Sequence, residues 1–219
     1  MSVLGVCSVN VGRASKIGTR HDQPVMSAIG KQPIASASVM IGWLNIVGDE
    51  QADRSVHGGI DKAVYVYPQE HFAYWQSVGI VASAGTFGEN VTSQGLIEAD
   101  VHLGDRWTWG TSEVIVTQPR TPCYKLALRM QRPDVAKLMI NRANCGWYLR
   151  VLRPGTAAIT DPMHRTLHRT DLPTIAETFV WTLRQPREAA NVRRLLAAPE
   201  LAAQYAEAIT GLAATHDRG

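Results

Sequence analysis

The chain has 219 residues, of which 45% are hydrophobic and 19% are charged, a composition typical of a globular protein that buries a full core. Its formal net charge of +3 is too small to indicate nucleic-acid binding by itself. No apolar stretch approaches the roughly 18 residues of a transmembrane helix, and residues 1–12 lack the pattern of a signal peptide. The three cysteines have spacings unlike those of a disulfide framework, so we expect a cytoplasmic protein.

The first part of the chain is predicted to be rich in β-strands. Short segments with β-branched residues predict strands at Val3–Val9, Ile41–Val47 and Val64–Tyr67. In the first of these segments, Cys7 alternates with apolar residues and is expected to be a small core residue. A short helix is predicted after Pro68, because proline suits the first turn of a helix.

The following segments predict a hairpin, a helix and a further strand. Three residues separate the predicted strands Arg106–Trp109 and Glu113–Gln118, which indicates a short hairpin connection. Helical spacing of apolar residues predicts a helix over Pro133–Arg142, and Trp147–Leu152 is predicted to be a strand. The large aromatic residues of these elements are expected to fill the core rather than to stack on bases; they are Tyr74, Trp75, Trp107, Trp109, Trp147 and Tyr148.

Beyond Asp161 the pattern becomes helical. Thr174 and Glu177 have the spacing of a capping box, and an apolar stripe follows them. A second stripe comprises Leu201, Tyr205, Ile209 and Leu212. The sequence therefore predicts a mainly β fold, with a β-barrel and a few peripheral helices over residues 1–163 and a small helical module over residues 164–219.

Two polar segments are candidates for a ligand-binding site. Residues 48–62 read GDEQADRSVHGGIDK, in which Gly58 and Gly59 permit close approach of the backbone to a ligand. His57 and Lys62 offer donors to a phosphate or another anion. The segment therefore indicates an anion-binding loop or, equally, a tight turn. Asn90, in the segment FGEN at residues 87–90, is a second candidate, although the same pattern is common in ordinary turns.

Cys123 is the most suggestive single residue. It follows a predicted strand, between Pro119 and Pro122 on one side and Lys125 on the other. The positive charges of Arg120 and Lys125 favour the thiolate, which is the form that attacks electrophiles or binds a soft metal. The alternative is a buried structural cysteine. Zinc is disfavoured, because no other cysteine or histidine lies at zinc-site spacing around Cys123 or Cys145.

Five segments occur in order along the chain: SAIGKQP from Ser27, GDEQAD with VHGGIDKAVYVYPQEH, FGEN, LGDRW and QPRTPCYKLA. In this order they resemble the MOSC family, named for the C-terminal domain of molybdenum cofactor sulfurases, and in particular its YiiM-like branch. The resemblance covers residues 2–161, and the C-terminal segment resembles the three-helix module that follows in that branch. It implies a MOSC-type β-barrel that binds a molybdenum cofactor.

The resemblance also implies roles for individual residues. Cys123 matches the cysteine that binds molybdenum, and it is therefore the expected catalytic residue. The residues expected to hold the cofactor (molybdopterin) are His57, Gly58, Gly59, Lys62, Asn90 and Arg120, with Lys31 and Asp53 as additions. This chain departs from the pattern at Cys145, where the branch usually has a small polar residue, so a second sulfur near the site is an open alternative.

The function that the resemblance implies is molybdenum-dependent reduction of N-hydroxylated compounds, such as hydroxylaminopurines and amidoximes. The chain has neither a dinucleotide-binding fingerprint nor cysteine spacing for an iron–sulfur cluster, so we expect a separate flavin or iron–sulfur reductase as electron donor. The alternatives are a persulfide sulfur carrier or cofactor-transfer protein and, from another class, a cysteine hydrolase with Cys123 and His57. No nucleic-acid or membrane partner is expected, and the oligomeric state stays open, with a homodimer as one alternative.

Overall fold

The computed structural model describes residues 2–52, 58–184 and 188–214. The strands are β1 (Val3–Val11), β2 (Ser15–Arg20), β3 (Gln23–Ser27), β4 (Gln32–Pro33), β5 (Ser38–Ile41), β6 (Val64–Pro68), β7 (Val91–Gln94), β8 (Arg106–Trp109), β9 (Ser112–Pro119), β10 (Trp147–Arg153), β11 (Gly155–Ala158) and β12 (Met163–Leu167). The α-helices are α1 (Phe72–Ser77), α2 (Tyr124–Met130), α3 (Val135–Arg142), α4 (Ile175–Leu183), α5 (Ala189–Leu196) and α6 (Ala203–Ala214). Short 3-10 helices cover Ile60–Lys62 and Gln69–His71.

Seven of the described strands form a closed barrel, in the order β12, β8, β9, β10, β6, β7 and β1, with β1 pairing back to β12. The neighbours in this barrel are antiparallel except for β6 and β7. The fold is therefore mainly β with a barrel and peripheral helices, as predicted.

Large aromatic side chains fill the core. Trp75, Trp107, Trp109 and Trp147 are fully buried, which confirms their predicted role, whereas Tyr74 and Tyr148 are half-buried. The buried residues of the barrel and of the C-terminal helices form one continuous hydrophobic cluster. Among the helices of the described ranges, none is long and apolar enough to cross a membrane.

The prediction that Cys7 is a core residue is wrong, because its side chain is exposed. The pairing of β1 with β7 shifts register between Val6 and Ser8, as a β-bulge does. A bulge reverses the alternation of a strand, so Leu4 and Val9 are both buried although one is even-numbered and the other odd-numbered.

Two predicted connections also differ from the structure. The predicted strand Ile41–Val47 ends at its first residue, because a tight turn closes with a hydrogen bond from the Gly42 amide to the Asn45 carbonyl (2.9 Å). The hairpin of β8 and β9 has a two-residue connection rather than three, since Ser112 already pairs with Trp109.

The C-terminal helices pack on one wall of the barrel. The capping box at the start of α4 is confirmed: the Glu177 amide donates to Thr174 Oγ1 (3.0 Å), and the Thr174 amide donates to Glu177 Oε2 (2.8 Å). The Ile175 amide donates to the Val101 carbonyl (2.8 Å), and the Ala202 amide donates to the Thr117 carbonyl of β9 (3.3 Å). The barrel strand β12 extends to Leu167 and thus crosses the division expected after residue 163.

Candidate functional site

A cleft of about 640 Å³, open to solvent, lies where the loops at one end of the barrel meet the start of α2. Its described lining includes the predicted residues Lys31, Lys62, Asn90, Arg120 and Cys123, and also Ser27, Ala28, Ile29, Asp49, Glu50, Gln51, Ala52, Tyr65, Phe87, Gly88, Lys125 and Tyr148. The structure therefore brings together five residues that lie up to 92 positions apart in the sequence.

Cys123 lies at the wall of this cleft, half-buried, at the junction of β9 and α2. The chain leaves β9 at Pro119, and the Arg120 amide donates to the Gly146 carbonyl (3.3 Å). Cys123 is the last extended residue before α2, with φ −130° and ψ 167°, and its carbonyl accepts from the Leu126 amide (3.0 Å). The thiol is thus held at the junction between a strand and a helix.

Arg120 is a buried cation in the cleft, with 5% of its surface exposed. Its guanidinium lies 5.7 Å from the centre of the Tyr65 ring, and its Nη1 lies 3.8 Å from Met139 Sδ. Burial opposes the charge, yet the neighbouring Tyr65 hydroxyl and Cys123 thiol hold the pKa of the guanidinium above its ordinary value. Arg120 therefore brings a permanent positive charge to the side of the cleft that carries Cys123.

Asp49 connects two predicted residues, Lys31 and Asn90, by direct contacts in the buried wall of the cleft. Its carboxylate forms an ion pair with Lys31 Nζ and accepts from the Asn90 side-chain amide (2.9 Å) and the Gly12 amide (2.8 Å). Burial lowers the pKa of Lys31, and Asp49 opposes that shift by favouring the ammonium. Asn90 in turn accepts from the Tyr65 amide through Oδ1 (3.0 Å), so its orientation is determined on both sides.

Glu89 lies behind Asn90 and is fully buried. Its carboxyl group accepts from the Gly85 amide (2.7 Å), the Phe87 amide (3.0 Å) and Thr92 Oγ1 (2.9 Å). Burial raises the pKa of Glu89 to about 7, although these hydrogen bonds oppose the shift. Glu89 therefore shapes the loop that carries Asn90.

The glycine pair is placed differently from the expectation. Gly58 and Gly59 do not line the cleft, and the Gly59 amide donates to Gln51 Oε1 (3.0 Å) instead of being available to a ligand. Gly59 has a φ of 94°, which favours glycine, and it precedes the 3-10 helix that ends at Lys62. Lys62 lines the cleft and donates to Gln204 Oε1 of α6 (3.1 Å). His57 and Asp53 lie outside the described residues.

Cys145 is fully buried and is absent from the cleft lining. Its thiol lies 3.2 Å from the Gly146 carbonyl, and burial holds its pKa well above the ordinary value. The structure therefore places this cysteine in the core rather than beside Cys123.

The sequence analysis did not single out as site residues six polar residues of the described lining: Ser27, Asp49, Glu50, Gln51, Tyr65 and Tyr148. Asp49, Glu50 and Gln51 lie inside the polar segment of residues 48–62, so composition indicated their neighbourhood but not which of them face the cleft. Tyr65 and Tyr148 lie in predicted strands and carry no such signal. The Tyr65 hydroxyl donates to the Cys145 carbonyl (2.8 Å), and its ring lies 5.2 Å from that of Tyr148.

Within the described ranges, one other group has metal-ligating side chains: His102, Asp105 and His168, whose ligand atoms lie within 4.8 Å of one another. Asp105 already accepts from the His102 amide (3.1 Å) and the Arg169 amide (2.8 Å). The Arg165 guanidinium lies 3.6 Å from the same carboxylate. These donors and this cation satisfy Asp105, so the group is better described as a partly buried polar network than as a metal site.

The comparisons with known proteins agree with this architecture. Residues 53–164 match the family model described as "MOSC domain". The protein YiiM of Escherichia coli is 37% identical over 185 residues, which cover 82% of this chain and 81% of that protein. A protein of Gibberella moniliformis named "Reductase" is 32% identical over 136 residues, which cover 60% of this chain but 24% of that protein.

A solved structure shows the same fold. The crystal structure of YiiM from Geobacillus stearothermophilus has a TM-score of 0.79 and 34% identity, and the match covers 95% of this chain and 98% of that one. Since the domain match and these relatives extend over most of the barrel, the chain belongs to the MOSC domain family.

Proposed function

We propose that this protein is an oxidoreductase that uses a molybdenum cofactor bound through Cys123 and reduces N-hydroxylated compounds to the corresponding amines. The observation that carries the proposal is the position of Cys123, half-buried in a cleft that also contains Lys31, Lys62, Arg120 and Lys125. A thiolate is a suitable ligand for a soft metal, and cationic side chains suit the anionic oxygens of a pterin phosphate.

The residues present fit such a cofactor. Among the described lining residues, four cationic side chains face two carboxylates, and the carboxylate of Asp49 is already neutralised by Lys31. The cleft therefore has an excess of positive charge beside the one described cysteine in its lining. Arg120 and Lys125 are the cations that flank this cysteine in the sequence, and Lys62, which donates to Gln204 of α6, is a further cation of the lining.

The proposed reaction converts R–NH–OH, with two electrons and two protons, to R–NH2 and water. When bound, the cofactor supplies two-electron redox chemistry. Arg120 favours the thiolate of Cys123 by its permanent charge. Lys31 holds a proton on Nζ beside the Asp49 carboxylate, and Asn90 keeps that carboxylate oriented through its side-chain amide. Lys31 and Asp49 are both buried, which limits the access of water to these two groups.

The electrons are proposed to come from a separate flavin or iron–sulfur reductase. The sequence has no dinucleotide-binding fingerprint and no cysteine spacing for a cluster. The Gibberella relative named "Reductase" agrees with a redox function, and the matched segment covers only 24% of its length, which leaves space in that protein for other domains.

Substitution of the proposed ligand tests the function. We expect Cys123→Ala, expressed in a host that makes the cofactor, to lose bound molybdenum and to reduce benzamidoxime at least about 100-fold more slowly with a chemical reductant, because a metal ligand is removed. Cys7→Ala is the matched control, since Cys7 is exposed and lies in β1, outside the cleft lining. Elemental analysis for molybdenum and the formation of benzamidine are the measurements.

Three outcomes distinguish the alternatives. Undiminished molybdenum and turnover in Cys123→Ala contradict the assigned role of the thiol. A wild-type protein without molybdenum, but with one extra sulfur atom on Cys123 by mass spectrometry, supports a sulfur carrier instead. Acylation of Cys123 by a thiol-directed acyl probe is the minimum requirement of a cysteine hydrolase.

A further inference from the structure

A second pocket opens beside the cleft and is bordered by the β2–β3 hairpin and the start of α2. Its described lining includes Arg20, His21 and Met26 from the hairpin, and Tyr124 and Lys125 from α2. We call it the hairpin pocket. It shares Ala52 and Lys125 with the cleft, so the two cavities meet at these residues.

Lys125 is the first unusual feature of the hairpin pocket. Only 7% of its surface is exposed, but its ammonium is not one of the buried polar atoms without a partner, so the alkyl stem is buried while the charged end still reaches solvent. Because Lys125 lies at the junction of the two cavities, an anionic group of a ligand there satisfies the ammonium.

Arg20 and His21 of the hairpin contribute a cationic guanidinium and an imidazole hydrogen-bond donor to the lining of the hairpin pocket. The Arg20 guanidinium lies 4.3 Å from the centre of the Tyr124 ring, and this stacking leaves the N–H edge of the guanidinium available to a ligand. His21 is at the hairpin tip with a φ of 49°, in a turn that a non-glycine residue adopts rarely. Neither residue forms an ion pair with a carboxylate in the described ranges.

The pocket also has an apolar side, formed by Pro24, Val25 and Met26. A site with cations on one side and apolar groups on the other suits a molecule that has both a phosphate and an organic body. Tyr124 directly follows Cys123 in the chain, so such a molecule can extend from the hairpin pocket to the reactive end of the cleft.

We propose that the hairpin pocket binds the phosphate group of the substrate, so that an N-hydroxylated nucleotide is preferred over the free base. This inference rests on the proposed function for the reaction itself. A pterin cofactor also carries a phosphate monoester. The experiment therefore distinguishes the phosphate of the substrate from the phosphate of the cofactor.

The first measurement is the binding of adenosine 5′-monophosphate and of adenosine to the purified, molybdenum-loaded protein by titration calorimetry. The nucleotide is expected to bind more tightly than the nucleoside. Arg20→Gln is expected to weaken nucleotide binding about tenfold, which is the usual effect of losing one charge-assisted hydrogen bond, and to leave nucleoside binding unchanged. Arg106→Gln is the matched control, because Arg106 is an exposed arginine in β8 that lines neither cavity.

Kinetics supply the second measurement. With 6-N-hydroxylaminopurine and its ribonucleoside 5′-monophosphate as substrates, Arg20→Gln is expected to lower kcat/KM about tenfold for the nucleotide only. The molybdenum content of the variant is expected to equal that of the wild type.

Three results overturn the inference: equal affinity for nucleotide and nucleoside, equal kcat/KM for base and nucleotide, or loss of molybdenum in Arg20→Gln. The last result assigns the pocket to the phosphate of the cofactor. Turnover of the free base without a preference for the nucleotide rejects the inference and retains the proposed function. Tight nucleotide binding without turnover of either substrate rejects the proposed function and retains the phosphate site.

Discussion

At the scale of single residues, the site depends on which carboxylate of a polar segment turns inward. The segment GDEQAD contains several acidic residues that are equivalent in sequence, and only closure of the barrel brings Asp49 beside Lys31 and Asn90. Lys31, Asn90, Arg120 and Cys123 were predictable because each lies in a recognisable motif. Asp49 and Tyr65 were not, since their roles arise from long-range contacts.

The buried carboxyl group of Glu89 gives a prediction about pH. Folded Glu89 retains its proton up to a pH of about 7, whereas the ordinary value is 4.5. Between these values the folded state binds more protons than the unfolded state, so the free energy of unfolding falls as the pH rises. We expect the free energy of unfolding of the wild type to fall by up to about 3 kcal/mol between pH 4.5 and pH 7, relative to that of the Glu89→Gln variant.

Urea unfolding of both proteins at several pH values measures this effect. Glu89→Gln is expected to differ from the wild type in its free energy of unfolding, because its amide faces backbone donors. Since an amide does not titrate, this difference adds no pH dependence of its own. Parallel pH profiles of the two proteins contradict the raised pKa of Glu89.

At the scale of elements, local signals were sufficient where local chemistry determines the structure. The capping box of α4 and the strand β6 were predicted from a few neighbouring residues and are present. The bulge of β1 and the pairing of β5 with β11 depend on partners far along the chain. Helix α2 was missed because its sequence is short, follows two prolines and has no capping side chain at its start. Its N-cap residue, Cys123, makes no side-chain hydrogen bond to the helix.

The capping box of α4 supports a stability prediction. Thr174→Ala removes the acceptor of the Glu177 amide, and we expect the free energy of unfolding to fall by about 1 kcal/mol. Thr170→Ala is the control, since Thr170 is exposed and precedes the helix. Chemical denaturation measures both variants, and an equal effect of the two substitutions contradicts a specific role of the cap.

At the scale of the whole molecule, the barrel and the C-terminal helices share one hydrophobic cluster. Phe179 of α4 and Leu195 of α5 belong to the same cluster as Trp107 and Trp109 of the barrel. The mainly β fold and the helical C-terminal segment were predictable from periodicity. The extent of their common core was not, because it depends on which faces of the two parts meet. The division into residues 1–163 and 164–219 stays a prediction.

A shared core predicts a single cooperative unfolding transition. Phe179→Ala is expected to lower the stability of the whole chain by about 3–5 kcal/mol, the usual cost of removing a buried phenyl ring. Differential scanning calorimetry is the measurement, with the ratio of van't Hoff to calorimetric enthalpy as the criterion. Two transitions, of which only one responds to the substitution, contradict this expectation.

Closure of the barrel has a consequence for biosynthesis. Leu4 of β1 pairs with Met163 of β12, so the barrel cannot close before β12 has been synthesised. During translation, β1 can pair earlier with β7, while its remaining backbone groups stay open to other chains. Until β12 emerges from the ribosome, β1 and β8 therefore keep an unpaired sheet edge, at which the nascent chain can pair with other chains.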